Sequence, residues 1–172
     1  MLKHKLTFVS MLVFVAFQLS CTQPQTGPTA EEQANLALMN RIYDEAINQG
    51  KMDVFDELVS PDVVEHEQLP GFEPNREGVK QYFQMMHNAF PDLHFQVDDI
   101  FAAGDKVVAR ITVQGTQQGE FMDMQPTGKK IAVKGIDIVR FANGKLVEHW
   151  GVTDAMSMMQ QLGTIPAESE EM

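Results

Sequence analysis

Residues Lys134–Trp150 read KGIDIVRFANGKLVEHW. Two β-rich runs flank Asn143-Gly144, the pair best suited to the positive φ angles of a two-residue hairpin turn. On a period of two, Val133, Gly135, Asp137, Val139 and Phe141 share one face of the first run, so a single carboxylate stands in an otherwise apolar row. An ionised carboxylate without partners in such a place costs several kcal/mol, so the group shifts its pKa upward, finds a partner, or lines a wet cavity. Asp137 is therefore the first candidate for chemistry.

The same strand character extends outward from this hairpin. His94–Gly104 (HFQVDDIFAAG), Lys106–Thr116 (KVVARITVQGT), Lys130–Phe141 (KIAVKGIDIVRF) and Lys145–Asp154 (KLVEHWGVTD) alternate or are β-rich, and Gly104-Asp105 supplies another turn. The first half has a helical period instead. Leu36, Met39, Ile42, Tyr43 and Ile47 form one stripe between Glu31 and Gln49, and Gly50 follows as a stop. A short helix is expected over MDVFDELV, closing at Ser60-Pro61, with DVVEHE leading into a Pro/Gly/Asn-rich loop over 70–75. Val79, Tyr82, Phe83, Met86 and Phe90 mark a further amphipathic helix that ends at Pro91. Helices followed by strands in meander order predict an α+β domain, its N-terminal helices packed on a curved, mostly antiparallel sheet. A strongly twisted sheet wrapped round a long helix makes a cone, and such concavities take ligands.

The N-terminus carries a basic start, an apolar run from Leu6 to Phe17, and Ser20 before Cys21. This pattern predicts a signal peptide over residues 1–20 and an exported protein. The run is short for a membrane span and lacks a basic stop-transfer flank. Cys21 is the only cysteine, so no internal disulfide forms despite export. The LSC ending resembles the lipobox of bacterial lipoproteins, with Gln18 in place of the usual leucine; the resemblance implies that Cys21 is lipidated and holds the protein at the cell envelope by its lipid alone. Residues 21–32 read as a flexible tether, 33–165 as the domain, and 166–172 as an acidic tail. Removing the leader, with Lys3 and Lys5 and no acids, takes the formal net charge from −11 to −13. Such a charge repels phosphate backbones, and no basic run interleaved with aromatics is present, so nucleic acid is not an expected partner.

Four segments in order carry a wider resemblance: PDVVEHEQLPG, AFPDLHFQVDDIFAAGDKVVARITVQGT, GEFMDMQPTGKKI and GIDIVRFANGKLVEHWGVTD. Together they resemble the SnoaL-like polyketide and ester cyclases, whose fold is a conical α+β barrel shared with scytalone dehydratase and ketosteroid isomerase. The resemblance implies cyclisation of polyketide esters by intramolecular aldol chemistry, without metal or cofactor. The family's acid/base aspartate falls on Asp137, and the apolar strand around it is expected to raise its pKa toward neutrality. The alternative role for Asp137 is a structural ion pair with Arg110 or Lys134.

The resemblance also places a polar pocket residue at His66. Gln117 stands in GTQQGEF where many members carry a histidine; glutamine donates a hydrogen bond but carries no proton at neutral pH. His149 and Trp150 alternate faces, so at most one points into the cone. With Arg110, these residues make up the expected substrate pocket. His66, His87, His94 and His149 are scattered without ligand spacing, so no metal site is expected. Two functions follow from this pattern: a cofactor-independent cyclase, isomerase or related lyase acting through Asp137, or a non-catalytic envelope module holding a small apolar or aromatic ligand. The related epoxide-hydrolase arrangement needs a second acid near Arg110, where Thr112 stands instead. A homodimer is expected through the outer sheet face, where Ile136 and Ile138 need cover.

Overall fold

The first helix begins at Thr29, whose side chain accepts from the Glu32 backbone while the Glu32 carboxylate accepts from the Thr29 N–H, a complete capping box. In the computed structural model, which describes residues 27–67 and 69–166, this helix, α1, spans Ala30–Arg41. The leader, Cys21, most of the tether and residues 167–172 lie outside the described residues. The helix starts inside the segment expected to be tether, because Thr29 and Glu32 satisfy N-terminal N–H groups there.

From Ile42 to Ile47 the helix widens into a π-helical segment, with the Asn48 N–H donating to the Tyr43 carbonyl at 2.8 Å. Ile42, Tyr43, Ala46 and Ile47 are all buried in this segment. Helix α2 spans Asp53–Leu58, and α3 spans Arg76–Ala89, its N-terminus capped by the Asn75 side chain. The strands are β1 (Val59–Glu65), β2 (His94–Ala103), β3 (Lys106–Thr116), β4 (Lys130–Ala142) and β5 (Lys145–Thr153). Helix α4, Ala155–Leu162, is capped by Asp154 and ends at Gly163, whose φ of 79° is the left-handed conformation that closes helices.

The five strands form one sheet in the order β1-β5-β4-β3-β2. All neighbours are antiparallel except β1, which runs parallel to β5. The hydrogen-bonded order ends at β1 on one side and β2 on the other, so the fold is α+β with helices on an open mixed sheet; the closed barrel implied by the resemblance is not formed by these strand pairings. Strand β1 was expected only as a lead into a loop. Pro61 obscures its strand pattern, and an edge strand tolerates a proline because one row of its backbone groups needs no partner.

Two bulges set which side chains face the helices. On β2, Val97 pairs with Ile111 but Asp99 pairs with Arg110, leaving Asp98 as the extra residue. On β5, Leu146 pairs with Phe141 and Glu148 with Arg140, leaving Val147 as the extra one. A strand without that insertion would put Leu146 and His149 on opposite faces. With it, both point inward, because their partners Phe141 and Val139 do.

Gln117 follows the last residue of β3 and is fully buried. Its side-chain nitrogen donates to the carbonyls of Gly119, Met124 and Gln125 at 3.3, 3.4 and 3.3 Å, while its oxygen accepts from the Thr127 hydroxyl at 2.6 Å and the Thr127 N–H at 3.3 Å. One amide thus ties both sides of the 117–127 loop, which includes Met122 and Asp123 at positive φ. Gln117→Ala should lower stability by about 2 to 3 kcal/mol in chemical denaturation, since it strands several buried polar groups at once.

Candidate active site

Between α1, its π-helical continuation, α3 and the inner sheet face lies a cavity of about 90 Å³. Most of its wall is apolar, including Met39, Ile42, Phe83, Phe95 and Ile111. Its polar groups are Tyr43, Glu65, Glu67, Tyr82, Asp137, His149 and Thr153.

Four of these form a chain of contacts. The Tyr43 hydroxyl donates to Asp137 Oδ2 at 2.6 Å, spanning 94 residues of sequence. Asp137 Oδ1 faces His149 Nε2 at 3.5 Å, a long contact, and His149 Nδ1 meets both Glu65 oxygens at 2.8 Å. The Glu65 side chain is only 4% exposed and that of Asp137 13%. Burial works against charge on the imidazole, but the two carboxylates outweigh it and hold His149 up at about 10. At neutral pH the ring is an imidazolium donating from both nitrogens. Burial, reinforced by Asp137, pushes the Tyr43 hydroxyl far above its ordinary range, so it remains a donor. Of the Asp137 oxygens, Oδ2 is committed to Tyr43; Oδ1 has only the long contact and is the atom free to take a proton.

The expected pocket residues divide sharply. His149 lines the cavity beside Asp137, whereas His66, Trp150, Arg110 and Gln117 are not in its wall. Alternation places Glu65 and Glu67 inward, and His66 turns to the outer face, where it stacks on Trp150 with ring centres 4.8 Å apart and reaches Glu148 at 3.0 Å. Arg110 sits between the inward Ala109 and Ile111, so it points outward and pairs with Asp98 at 3.0 Å. Lys134 contacts the same Asp98 at 3.3 Å, leaving neither cation as a partner for Asp137. Gln117 is consumed by its own loop. Tyr43, Glu65 and Glu67 were not singled out from sequence. Tyr43 fits the apolar helical stripe, and the signal for the acids was the alternation Glu-His-Glu at 65–67, which puts both on the face opposite His66.

With this geometry, comparison with known proteins becomes specific. The family profile described as SnoaL-like polyketide cyclase matches residues 37–162. The chain belongs to that family. Among curated proteins it is similar to the aklanonic acid methyl ester cyclase AcmA of Streptomyces galilaeus, 29% identical over 134 residues that cover 73% of this chain and 89% of that enzyme. Among solved structures it is similar to TsrD of Streptomyces laurentii, with a TM-score of 0.70, 28% identity, and coverage of 77% of this chain and 97% of that one. IdmH of Streptomyces antibioticus gives a TM-score of 0.66 and 33% identity, covering 75% and 98%. Among the described residues, no group of three or more His, Cys, Asp or Glu side chains is arranged to hold a metal ion.

The site makes stability depend on pH. His149 rises from 6.5 to about 10 on folding, so its pairing contributes fully below about pH 6.5 and is lost as pH climbs through 10. Burial also raises the Glu67 carboxyl, so the stability tied to its neutral form is lost as pH rises above the ordinary glutamate range. The wild-type melting temperature should fall by roughly 5 to 10 °C between about pH 6.5 and pH 10, and His149→Asn should flatten that decline. A wild-type curve flat over this interval would contradict a charged His149.

Proposed function

We propose that the protein is a cofactor-independent acid–base enzyme of the ester and polyketide cyclase type, acting on a small carbonyl compound through an intramolecular aldol-type step. The observation that carries this reading is Asp137: one oxygen clamped by Tyr43, the other directed into an apolar cavity beside an imidazolium. Removing a proton alpha to a carbonyl needs a base within hydrogen-bonding reach and a dry wall that keeps the base from being levelled by water. Similarity to a methyl ester cyclase supports the same class of substrate. The second reading, a binding module that holds an apolar ligand, is favoured by the predominantly apolar wall but leaves Asp137 without a chemical task.

Asp137→Asn separates the two. The amide still accepts from Tyr43, so the fold should persist with a loss of about 1 to 2 kcal/mol, while an aldol turnover should fall by at least about 100-fold. Turnover that survives the substitution would remove Asp137 from the role of base.

We also propose that the mature chain is an envelope lipoprotein anchored at Cys21 and that it works as a homodimer. The support for dimerisation is the outer sheet face, where Phe101, Val108, Ile138 and Trp150 form one cross-strand row, with Ile136 and Val152 paired in the next. Ile136 is 50% exposed, Phe101 53% and Val152 74%, an apolar surface that a second copy of the same face would cover. Mass spectrometry should find Cys21 acylated at the mature N-terminus, and sedimentation should give a dimer that Ile136→Glu dissociates. An unmodified Cys21, or a monomer at micromolar concentration, would each overturn the corresponding half.

A further inference from the structure

Gly151 is the cross-strand partner of Asp137 and lies on the same inner face. A Cβ built at Gly151 would collide with a carboxylate oxygen of Glu67 and lie 2.9 Å from Cε1 of His149. The missing side chain thus opens a slot, and the Glu67 carboxyl and the edge of the His149 ring meet in it. Glu67 reaches this slot from the chain just beyond β1, where its backbone N–H is tied to Glu65 Oε1 at 2.8 Å. Its side chain lines the cavity together with Asp137, His149 and Tyr82.

We propose that Glu67 is a second catalytic residue of this site, the proton donor that works opposite Asp137. The inference rests on the acid–base reading of Asp137 given above. Glu65 meets the His149 ring with both oxygens and Asp137 accepts from Tyr43 through Oδ2, whereas among the described residues no side chain donates a hydrogen bond to the Glu67 carboxyl. The groups that face it are Glu65, Asp137, His149 and Tyr82; burial and the two carboxylates favour the neutral acid, and only His149 opposes them. Two carboxyls on one cavity wall, one holding a donor in Tyr43 and the other with no side-chain donor and a burial that favours its neutral form, have the makings of an acid–base pair.

The proton count closes without solvent. Asp137 Oδ1 takes the proton alpha to a substrate carbonyl, the C–H electron pair moves into the carbonyl, and its oxygen takes the proton of Glu67. This leaves a neutral enol, a protonated Asp137 and an ionised Glu67. When the enol carbon attacks the second carbonyl, its O–H proton returns to Glu67 as the first carbonyl re-forms. The new alkoxide takes the proton held by Asp137. One C–C bond is made, and both carboxyls end as they began.

The test uses the α-protons of β-tetralone, an aromatic-fused ketone, exchanged in D₂O with the full chain and followed by proton NMR from about pH 5 to pH 9. Wild-type protein should accelerate exchange, and its rate should decline on the alkaline side as Glu67 loses its proton. E67Q should be roughly 100-fold slower and should lack that alkaline decline. G151A, which displaces the Glu67 carboxyl without removing it, should be slowed as well. E67Q with the wild-type rate and pH profile would overturn the donor role and leave Asp137 as base. Wild-type protein that fails to accelerate exchange would overturn the base reading and the donor role with it. Carbon-13 NMR of labelled glutamate gives a readout free of any substrate: a Glu67 carboxyl already ionised at neutral pH would overturn the donor role by itself.

Discussion

A carboxylate in the middle of a buried sheet face has to be solvated by the protein, and here a phenol from the first helix does it. The 2.6 Å bond from Tyr43 to Asp137 joins the N-terminal helix to the central strand β4. A hydrogen bond to a charged acceptor contributes roughly 1.5 to 3 kcal/mol, and losing the donor would leave most of the carboxylate's desolvation unrelieved. Other features of the fold follow from satisfying this one group. The π-helical segment carries Tyr43 with three other buried side chains on the core side of the helix. The bulge at Val147 turns His149 inward to face the second oxygen. Gly151, beside Asp137 on the neighbouring strand, leaves the space into which Glu67 and the His149 ring extend.

The two faces of the sheet divide the charge. Outside, Asp98 collects Arg110 and Lys134 and accepts from Thr112 at 2.6 Å, while Glu148 pairs with Arg140 at 2.8 Å and His66 at 3.0 Å. Lys106 lies over the Trp150 ring, 5.4 Å from its centre. The ion pairs among these are exposed and screened by solvent, so they hold the outer cations in place without weighing much on stability. Inside, among the described residues, the only cation on the cavity wall is His149, set against three carboxyl groups. In a region of low dielectric that ratio matters more than the net charge of the chain, because interactions there are poorly screened. An excess of carboxyls over cations in one cavity favours the neutral form of the least supported of them, Glu67, whose carboxyl is raised by burial.

The sheet was legible from sequence because its signals are local. Asn143-Gly144 marks the β4–β5 turn, with both residues at positive φ, and the apolar row flanking Asp137 is buried as its alternation requires. The site was legible only in part, because membership depends on parity that sequence patterns do not reveal. One inserted residue at Val147 decides that His149 points inward and Trp150 outward. A strand with a proline in it, β1, decides that Glu65 and Glu67 line the cavity while His66 does not. Periodicity located Asp137 but could not supply its partners: Tyr43 is separated from it by 94 residues, and Arg110 and Lys134, near it in the strands, lie on the wrong face.

The position of Gln117 shows how a family pattern and a particular chain diverge. The resemblance to the SnoaL-like cyclases implies a histidine there, and a glutamine in its stead reads as a lost proton carrier. In this protein the side chain is sealed under its own loop, with both ends of the amide occupied and no share in the cavity wall. An imidazole there would have one donor and one acceptor in its neutral form, too few for the carbonyls of Gly119, Met124 and Gln125 together with Thr127. Glutamine, with two N–H donors and a carbonyl, suits a loop that must be pinned from both sides. The imidazole that belongs to the site is His149, oriented by Glu65, which meets its Nδ1 with both oxygens. The chemistry available to this cavity is therefore set by the group of Tyr43, Glu65, Glu67, Asp137 and His149, and substitution at position 117 reaches it only by loosening the loop that closes β3.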